Sequence, residues 1–171
     1  MTDPIEPSEA IRRVLTGVAR DVYGPGYDDH ALNQYRLYVE MADRISERRE
    51  KANSFFLALN TAAVGVSTYL TLSRASAHAL VEGSISLAGM TLCYLWYRII
   101  SSYRDLNSAK FKVVHEMEAQ LPFKPYDAEW EAVGRGKNKK LYLPFTHIEI
   151  LVPWIFLLLH LLGFLVSTQL V

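Results

Sequence analysis

The chain has 171 residues, half of them hydrophobic, and its 18 Lys and Arg residues balance 18 Asp and Glu residues. This neutral balance argues against nucleic acid as a partner. Cys93 is the only cysteine, which excludes an intramolecular disulfide.

Apolar residues concentrate in three stretches that carry no charged side chain: residues 52–73, 83–97 and 150–171. A bilayer core of about 30 Å requires roughly 20 apolar helical residues. A helix of a soluble bundle would place charges on its outer face every few residues. The second stretch is short, but it extends toward residue 75 if Glu82 lies near the outer surface of the membrane. The sequence therefore predicts an all-α membrane protein with three transmembrane helices, at about residues 53–73, 77–97 and 150–171.

The distribution of basic residues predicts the orientation. Eight Lys and Arg residues precede the first span, nine lie between the second and the third, one lies in the turn between the first two, and none follows the third. Cytoplasmic loops carry the excess of Lys and Arg. We therefore expect a multi-pass protein of the cytoplasmic (inner) membrane, with the N-terminus cytoplasmic and the C-terminus external or periplasmic.

Residues 1–30 form a predicted N-terminal cytoplasmic appendage. Ile11, Val14, Leu15 and Val18 share one face of a short amphipathic helix that is expected to run to about Tyr23, before a Gly-Pro-Gly sequence. Two placements remain open for this helix. It could lie on the anionic inner leaflet, or it could pack on the protein's own cytoplasmic part.

Residues 31–121 are predicted to form a long helical hairpin that contains the first two spans. Asp29 is a plausible N-cap, and no Gly or Pro interrupts the chain from Ala31 until Gly65. The second helix should continue to Leu121, where Pro122 stops it. Apolar residues at heptad-like spacing on both extensions predict an antiparallel coiled coil in the cytoplasm.

Residues 122–149 are a predicted cytoplasmic connector, and residues 150–171 are the third span. A short helix from Ala128 to Val133 is expected, capped by Asp127. Thr146 and Glu149 have the spacing of a capping box directly before the third span. A basic turn in the connector could contact lipid headgroups through Arg135, Lys137, Lys139 and Lys140.

Polar residues recur along the first span at Asn53, Asn60, Ser67 and Arg74, each seven residues apart. Because seven residues of a straight helix drift by only about 20°, these residues share one face. An unpaired amide in hydrocarbon is costly, so this face should point toward other helices or toward an aqueous axis. Asn53, Asn60 and Ser67 are the candidates for an oligomer interface or an axis lining, and both possibilities remain open.

No pattern in the chain points to catalysis. The basic turn lacks the spacing of a phosphate-binding loop, and His115 and Glu118 do not have metal-ligand spacing. His160, in the third span, is interpreted as a neutral hydrogen-bonding residue at a helix contact. We assign no catalytic, cofactor-binding or metal-binding residue, and we do not expect an enzyme.

Six segments carry a resemblance to a known family: QYRLYVEMADRIS at 34–46, ANSFFLALN at 52–60, LWYR at 95–98, LNSAKFK at 106–112, PYDAEW at 125–130 and THIE at 146–149. Together they resemble the RipA family of small octameric integral membrane proteins of bacteria, over about residues 24–165. The resemblance implies an inner-membrane homo-octamer. It supplies no catalytic residues.

Two functions fit these observations. The first is a non-enzymatic, homo-octameric membrane scaffold or vestibule, whose partners are further copies of the chain and membrane lipids. The alternative is an ion channel or pore-forming effector built on the same ring.

Overall fold

In the computed structural model, which describes residues 7–73, 79–137 and 148–168, these residues form helices and turns without a β-strand. The helices are α1 (Pro7–Leu15), α2 (Arg20–Tyr23), α3 (Tyr27–Leu72), α4 (Ala79–Glu118), α5 (Pro125–Ala132) and α6 (Leu151–Ser167). A 3₁₀ turn, Gly134–Gly136, follows α5. The all-helical prediction is confirmed for the described residues.

The N-terminal segment contains two helices where the sequence predicted one. The helix that was expected to reach Tyr23 ends at Leu15, and α2 begins again at Arg20. Gly17 lies in the break, and glycine costs about 1 kcal/mol in a helix interior relative to alanine. The expectation of one continuous helix was wrong.

The long helix α3 begins at Tyr27, two residues before the predicted N-cap Asp29. The turn at Pro25 and Gly26 starts the helix directly, and the backbone N–H of His30 donates to the carbonyl of Gly26. Asp29 therefore lies inside the first turn, where its negative charge is favourable near the helix N-terminus. Because residues 27–64 contain neither Gly nor Pro, nothing in the local sequence ends the helix early.

The connector helix α5 also begins earlier than predicted, at Pro125 rather than Ala128. Proline suits the first helical position because its missing N–H is not needed there. Asp127 is consequently an internal residue of α5 and not its cap. The preceding helix α4 ends at Glu118, three residues before the predicted end, Leu121.

The chain divides into two compact units. Unit 1 comprises Met1–Ser46 and Asp105–Leu143, and unit 2 comprises Glu47–Arg104 and Pro144–Val171. Within unit 1, Ala42 and Ile45 of α3 and Val114 of α4 are buried. The predicted divisions at residues 30, 121 and 149 stay predictions.

Unit 2 contains the apolar helical segments. By length and composition, α3 and α4 could each cross a membrane, and α6 is a shorter apolar helix of 17 residues. In this unit α3 and α4 run antiparallel, because Asn53 bonds to Trp96 whereas Thr71 bonds to Glu82.

The described residues of unit 2 have an inside-out composition. Apart from an apolar cluster of Phe56, Trp96 and Ile100, much of the buried interior is polar. The exposed surface carries large apolar side chains, among them Phe55, Leu59, Val66, Tyr69, Leu87, Tyr94, Trp154, Leu158 and Leu162. Such a surface is unfavourable in water but matches lipid tails, where helix association relies on packing and interhelical hydrogen bonds.

Candidate functional site

The polar residues of α3 point into unit 2, toward α4 and α6. Asn60 is fully buried, and Ser67 is 7% exposed. Asn53 is half-buried. The fourth residue of the predicted line, Arg74, lies outside the described residues. Together with partners on α4, on α6 and at Glu149 just before α6, these side chains form three polar layers inside the unit.

The middle layer joins all three helices through the amide of Asn60. Its Oδ1 accepts from the Cys93 thiol at 3.2 Å and lies 3.1 Å from His160 Nε2. Its Nδ2 donates to the Phe56 carbonyl at 2.9 Å. Because an amide oxygen can only accept, Nε2 is the protonated nitrogen of His160 in this arrangement. The hydrogen bonds of Asn60 are thus satisfied by α3, α4 and α6.

Gly89 makes room for the imidazole of this layer. A Cβ atom at position 89 would lie 2.3 Å from His160 Cε1 and 2.4 Å from both ring nitrogens. The His160 ring therefore lies directly against the backbone of α4. Any side chain at position 89 would displace it.

The second layer surrounds Glu149, a carboxylate that is only 5% exposed. Its Oε1 lies 3.5 Å from Asn53 Nδ2, and its Oε2 lies 3.5 Å from Arg49 Nε. Asn53 also accepts a 2.8 Å bond from the indole N–H of Trp96. The other half of the predicted capping box, Thr146, lies outside the described residues.

The third layer contains hydroxyl groups and a second buried carboxylate. Thr71 donates to Glu82, which is 5% exposed. A Cβ at Gly163 would contact the hydroxyls of Ser86 and Ser67 at 3.1 and 3.4 Å. Gly163 therefore permits α6 to approach both other helices closely.

Chemically, the layers can fix the register of three helices. Each hydrogen bond is directional, and an unmatched polar group in this interior would be costly. Cys93 is buried, and burial does not suit a reactive thiol. Among the residues that the structure describes, no group of three or more His, Cys, Asp and Glu side chains could hold a metal ion.

The comparisons with known proteins identify the family. The sequence profile named Octameric membrane protein family (8xMP) matches residues 32–169. The chain belongs to this family. Searches of curated proteins and of solved structures found no match.

The 8xMP match confirms the resemblance that the sequence segments carry, and the family name indicates an octameric membrane protein. All three polar layers lie within the matched residues. The match begins at Leu32, inside α3, and therefore leaves α1 and α2 outside.

In this 8xMP chain, sequence reasoning did not identify the structural role of Glu118. This fully buried carboxylate accepts the hydroxyl of Tyr35 at 2.9 Å and the backbone N–H groups of Tyr126 and Asp127 at 3.1 and 3.2 Å. Glu118 thus satisfies the N-terminus of α5 from the neighbouring helix α4. Burial, reinforced by the bond to Glu118, raises the pKa of Tyr35 to about 12.

The candidate lipid contacts in the connector are only partly described. Arg135 binds Glu131 through a short ion pair and lies 3.4 Å from Asp127, so its charge is partly compensated within the chain. Lys137 is exposed. Lys139 and Lys140 lie outside the described residues. A contact of these four residues with lipid headgroups stays a prediction, as does a contact of Asn53, Asn60 or Ser67 with another copy or an aqueous axis.

The α1 helix contacts α4 within unit 1. Arg12 Nε lies 3.2 Å from a carboxylate oxygen of Glu116. Of the two placements that the sequence left open for this helix, this ion pair favours packing on the protein itself.

Proposed function

We propose that this chain is the subunit of a non-enzymatic homo-octamer in the bacterial inner membrane, where the ring acts as a scaffold or vestibule. The observation that carries the proposal is the 8xMP match over residues 32–169. That family is named for membrane assembly and not for a reaction.

The inside-out composition of unit 2 supports a position in the bilayer. Its exposed surface is rich in Leu, Val and aromatic side chains, whereas Asn60, Glu149 and His160 are buried and contact polar partners within the unit. Water would favour the opposite arrangement. In hydrocarbon, buried polar groups that bond to one another hold helices together.

The charge distribution supports the proposed topology. We place the N-terminus, the extensions of α3 and α4 and the connector in the cytoplasm, since these segments hold 17 of the 18 Lys and Arg residues. In this arrangement the first two spans continue into an antiparallel helical hairpin on the cytoplasmic side. The C-terminus is then external.

The scaffold is favoured over the ion channel by the position of Asn60. A channel that used the polar line of α3 would need those side chains at an aqueous axis. Asn60 is fully buried and already bonds to Cys93, Phe56 and His160 of its own chain. The amide therefore contributes to a packed interior.

Two measurements test the proposal. Native mass spectrometry of the detergent-solubilised protein should give a complex of eight 19.4 kDa chains; a monomer or dimer would contradict the proposed assembly. The same octamer, reconstituted in a planar bilayer, should show no current. Conductance steps that disappear in an Asn60→Leu variant would instead support the channel.

A further inference from the structure

Unit 1 carries apolar side chains on the outer face of α3. Leu37 is 56% exposed and Met41 43% exposed, although neither belongs to an apolar stretch long enough to span a membrane. Arg44 follows Met41 by three residues, so all three side chains share a face. Buried residues border this face: Ala42 lies about 100° around the helix from Met41, and Ile45 follows Met41 by four residues.

The outer face of α4 in unit 1 has a different character. Asp105, Ala109 and Lys112 are exposed and, being four and three residues apart, share one face. The buried residues Val114 and Glu118 mark the inner side of this helix. The outer face of α4 therefore offers a small central residue between a negative and a positive side chain.

Contacts between α3 and α4 fix which parts of the two outer faces lie at equal height. The ammonium of Lys110 lies 4.4 Å from the centre of the Tyr38 ring, and Tyr35 bonds to Glu118. The two helices therefore run antiparallel here, and residues later in α3 lie beside residues earlier in α4. Counting from these pairs places Met41 level with Ala109.

The charges on the two faces are complementary at similar heights. By the same count, Lys112 lies two residues, about 3 Å, from the level of Glu40, and Asp105 lies one residue, about 1.5 Å, from the level of Arg44. Glu40 and Arg44 are both exposed and form an i,i+4 ion pair at 2.6 Å. A second helix that carries Lys112 and Asp105 would meet each of these charges with its opposite, and such matching selects partner and register.

A closed ring brings these two faces together. In a cyclic oligomer, rotation about the symmetry axis leaves each residue at the same position along that axis in every copy. Each contact in such a ring joins two different surfaces of neighbouring copies. The large side chain of Met41 can pack against the small Ala109. This pairing would also remove the apolar surface of α3 from water.

We propose that the outer face of α3, defined by Leu37, Glu40, Met41 and Arg44, binds the outer face of α4, defined by Asp105, Ala109 and Lys112, on the next copy of the chain. This inference rests on the proposed homo-octamer and specifies how neighbouring subunits recognise each other in unit 1.

Disulfide crosslinking tests the contact. In a Cys93→Ser background, the Met41→Cys/Ala109→Cys double variant should form covalent oligomers up to the octamer on mild oxidation in native membranes. Each single variant should remain monomeric on a denaturing gel, because the two faces differ. A disulfide requires Cα atoms about 4.4–6.8 Å apart. Met41→Cys/Ala119→Cys is therefore the matched control and should react weakly, because Ala119 is also exposed but lies ten residues, about 15 Å, from Ala109.

A charge exchange provides a second test that does not depend on thiols. Glu40→Lys should weaken the oligomer, and the added Lys112→Glu should restore its mass on native gels. Restoration supports the contact, whereas additive loss contradicts it.

The outcomes separate this inference from the proposed function. If the unmodified chain has octameric mass but the Met41→Cys/Ala109→Cys variant crosslinks no better than the control, the inference is overturned and the proposed octamer stands. An unmodified chain that is monomeric overturns the proposed octamer. Strong dimer formation by Met41→Cys alone would show that like faces meet, and would also overturn the inference.

Discussion

Gly89 offers a direct test of the packing inside unit 2. The variant Gly89→Ala places a methyl group 2.3–2.4 Å from three atoms of the His160 ring. Contacts under 3.0 Å require a shift, and the fully enclosed ring can move only by disturbing its 3.1 Å bond to Asn60. Gly65, which lies on α3, is the matched control because a Cβ there has no neighbour within 4 Å.

The magnitude follows from three contributions. Overpacking of a well-packed interior costs about 1–3 kcal/mol, and loss of one interhelical bond costs about 0.6 kcal/mol in a membrane protein. Replacing glycine by alanine in a helix interior stabilises the helix by about 1 kcal/mol. Gly89→Ala should therefore lower the free energy of unfolding by about 0.6–2.6 kcal/mol, whereas Gly65→Ala should leave it unchanged or raise it by up to about 1 kcal/mol.

The assay is unfolding by increasing SDS in mixed micelles, followed by tryptophan fluorescence, since Trp96 lies in the core cluster of this unit. Adding His160→Ala to Gly89→Ala should make the combined loss smaller than the sum of the single losses, because the two residues compete for the same space. Equal stability of Gly89→Ala and Gly65→Ala would refute the proposed packing of α6 on α4.

Three further predictions concern the polar interior, the connector and the topology. Asn60→Leu should destabilise unit 2 by about 1–3 kcal/mol in the same SDS titration, because it leaves the donor of His160 unpaired; an unchanged midpoint would contradict the middle layer. Since the pKa of Tyr35 is raised to about 12, its stabilising effect should be complete below about pH 10 and lost as the pH rises toward 12; thermal unfolding of Tyr35→Phe should depend less on pH in that window, and equal slopes would argue against the bond. A topology reporter fused after the C-terminus should be external and one inserted at Asn138 cytoplasmic; the same side for both would contradict three spans.

Much of the helical architecture follows from local sequence. Stretches with few or no charged residues predicted the apolar helices, and the seven-residue spacing of Asn53, Asn60 and Ser67 predicted a shared face. Helix ends were less predictable. Glycine at position 17 breaks the N-terminal helix, and Pro125 starts α5 three residues before the expected position.

The partners of the polar residues could not be predicted from local sequence. The bonds from Cys93 and His160 to Asn60 depend on how α4 and α6 are rotated and shifted against α3, which is a property of the folded unit. Glycine at position 89 was a signal for close helix approach, but its partner was not evident from spacing. Glu118 likewise acts across 83 residues on Tyr35.

The accessibility of position 60 tests the account most directly. In a Cys93→Ser background, Asn60→Cys is treated in intact membranes with a water-soluble and with a lipid-soluble thiol reagent, and SDS-denatured protein serves as the positive control. A packed subunit interior predicts that neither reagent labels the native protein and that both label the denatured one. Labelling of the native protein by the water-soluble reagent would place Asn60 at an aqueous axis and contradict the packed scaffold, and labelling by the lipid-soluble reagent alone would place it on the lipid face.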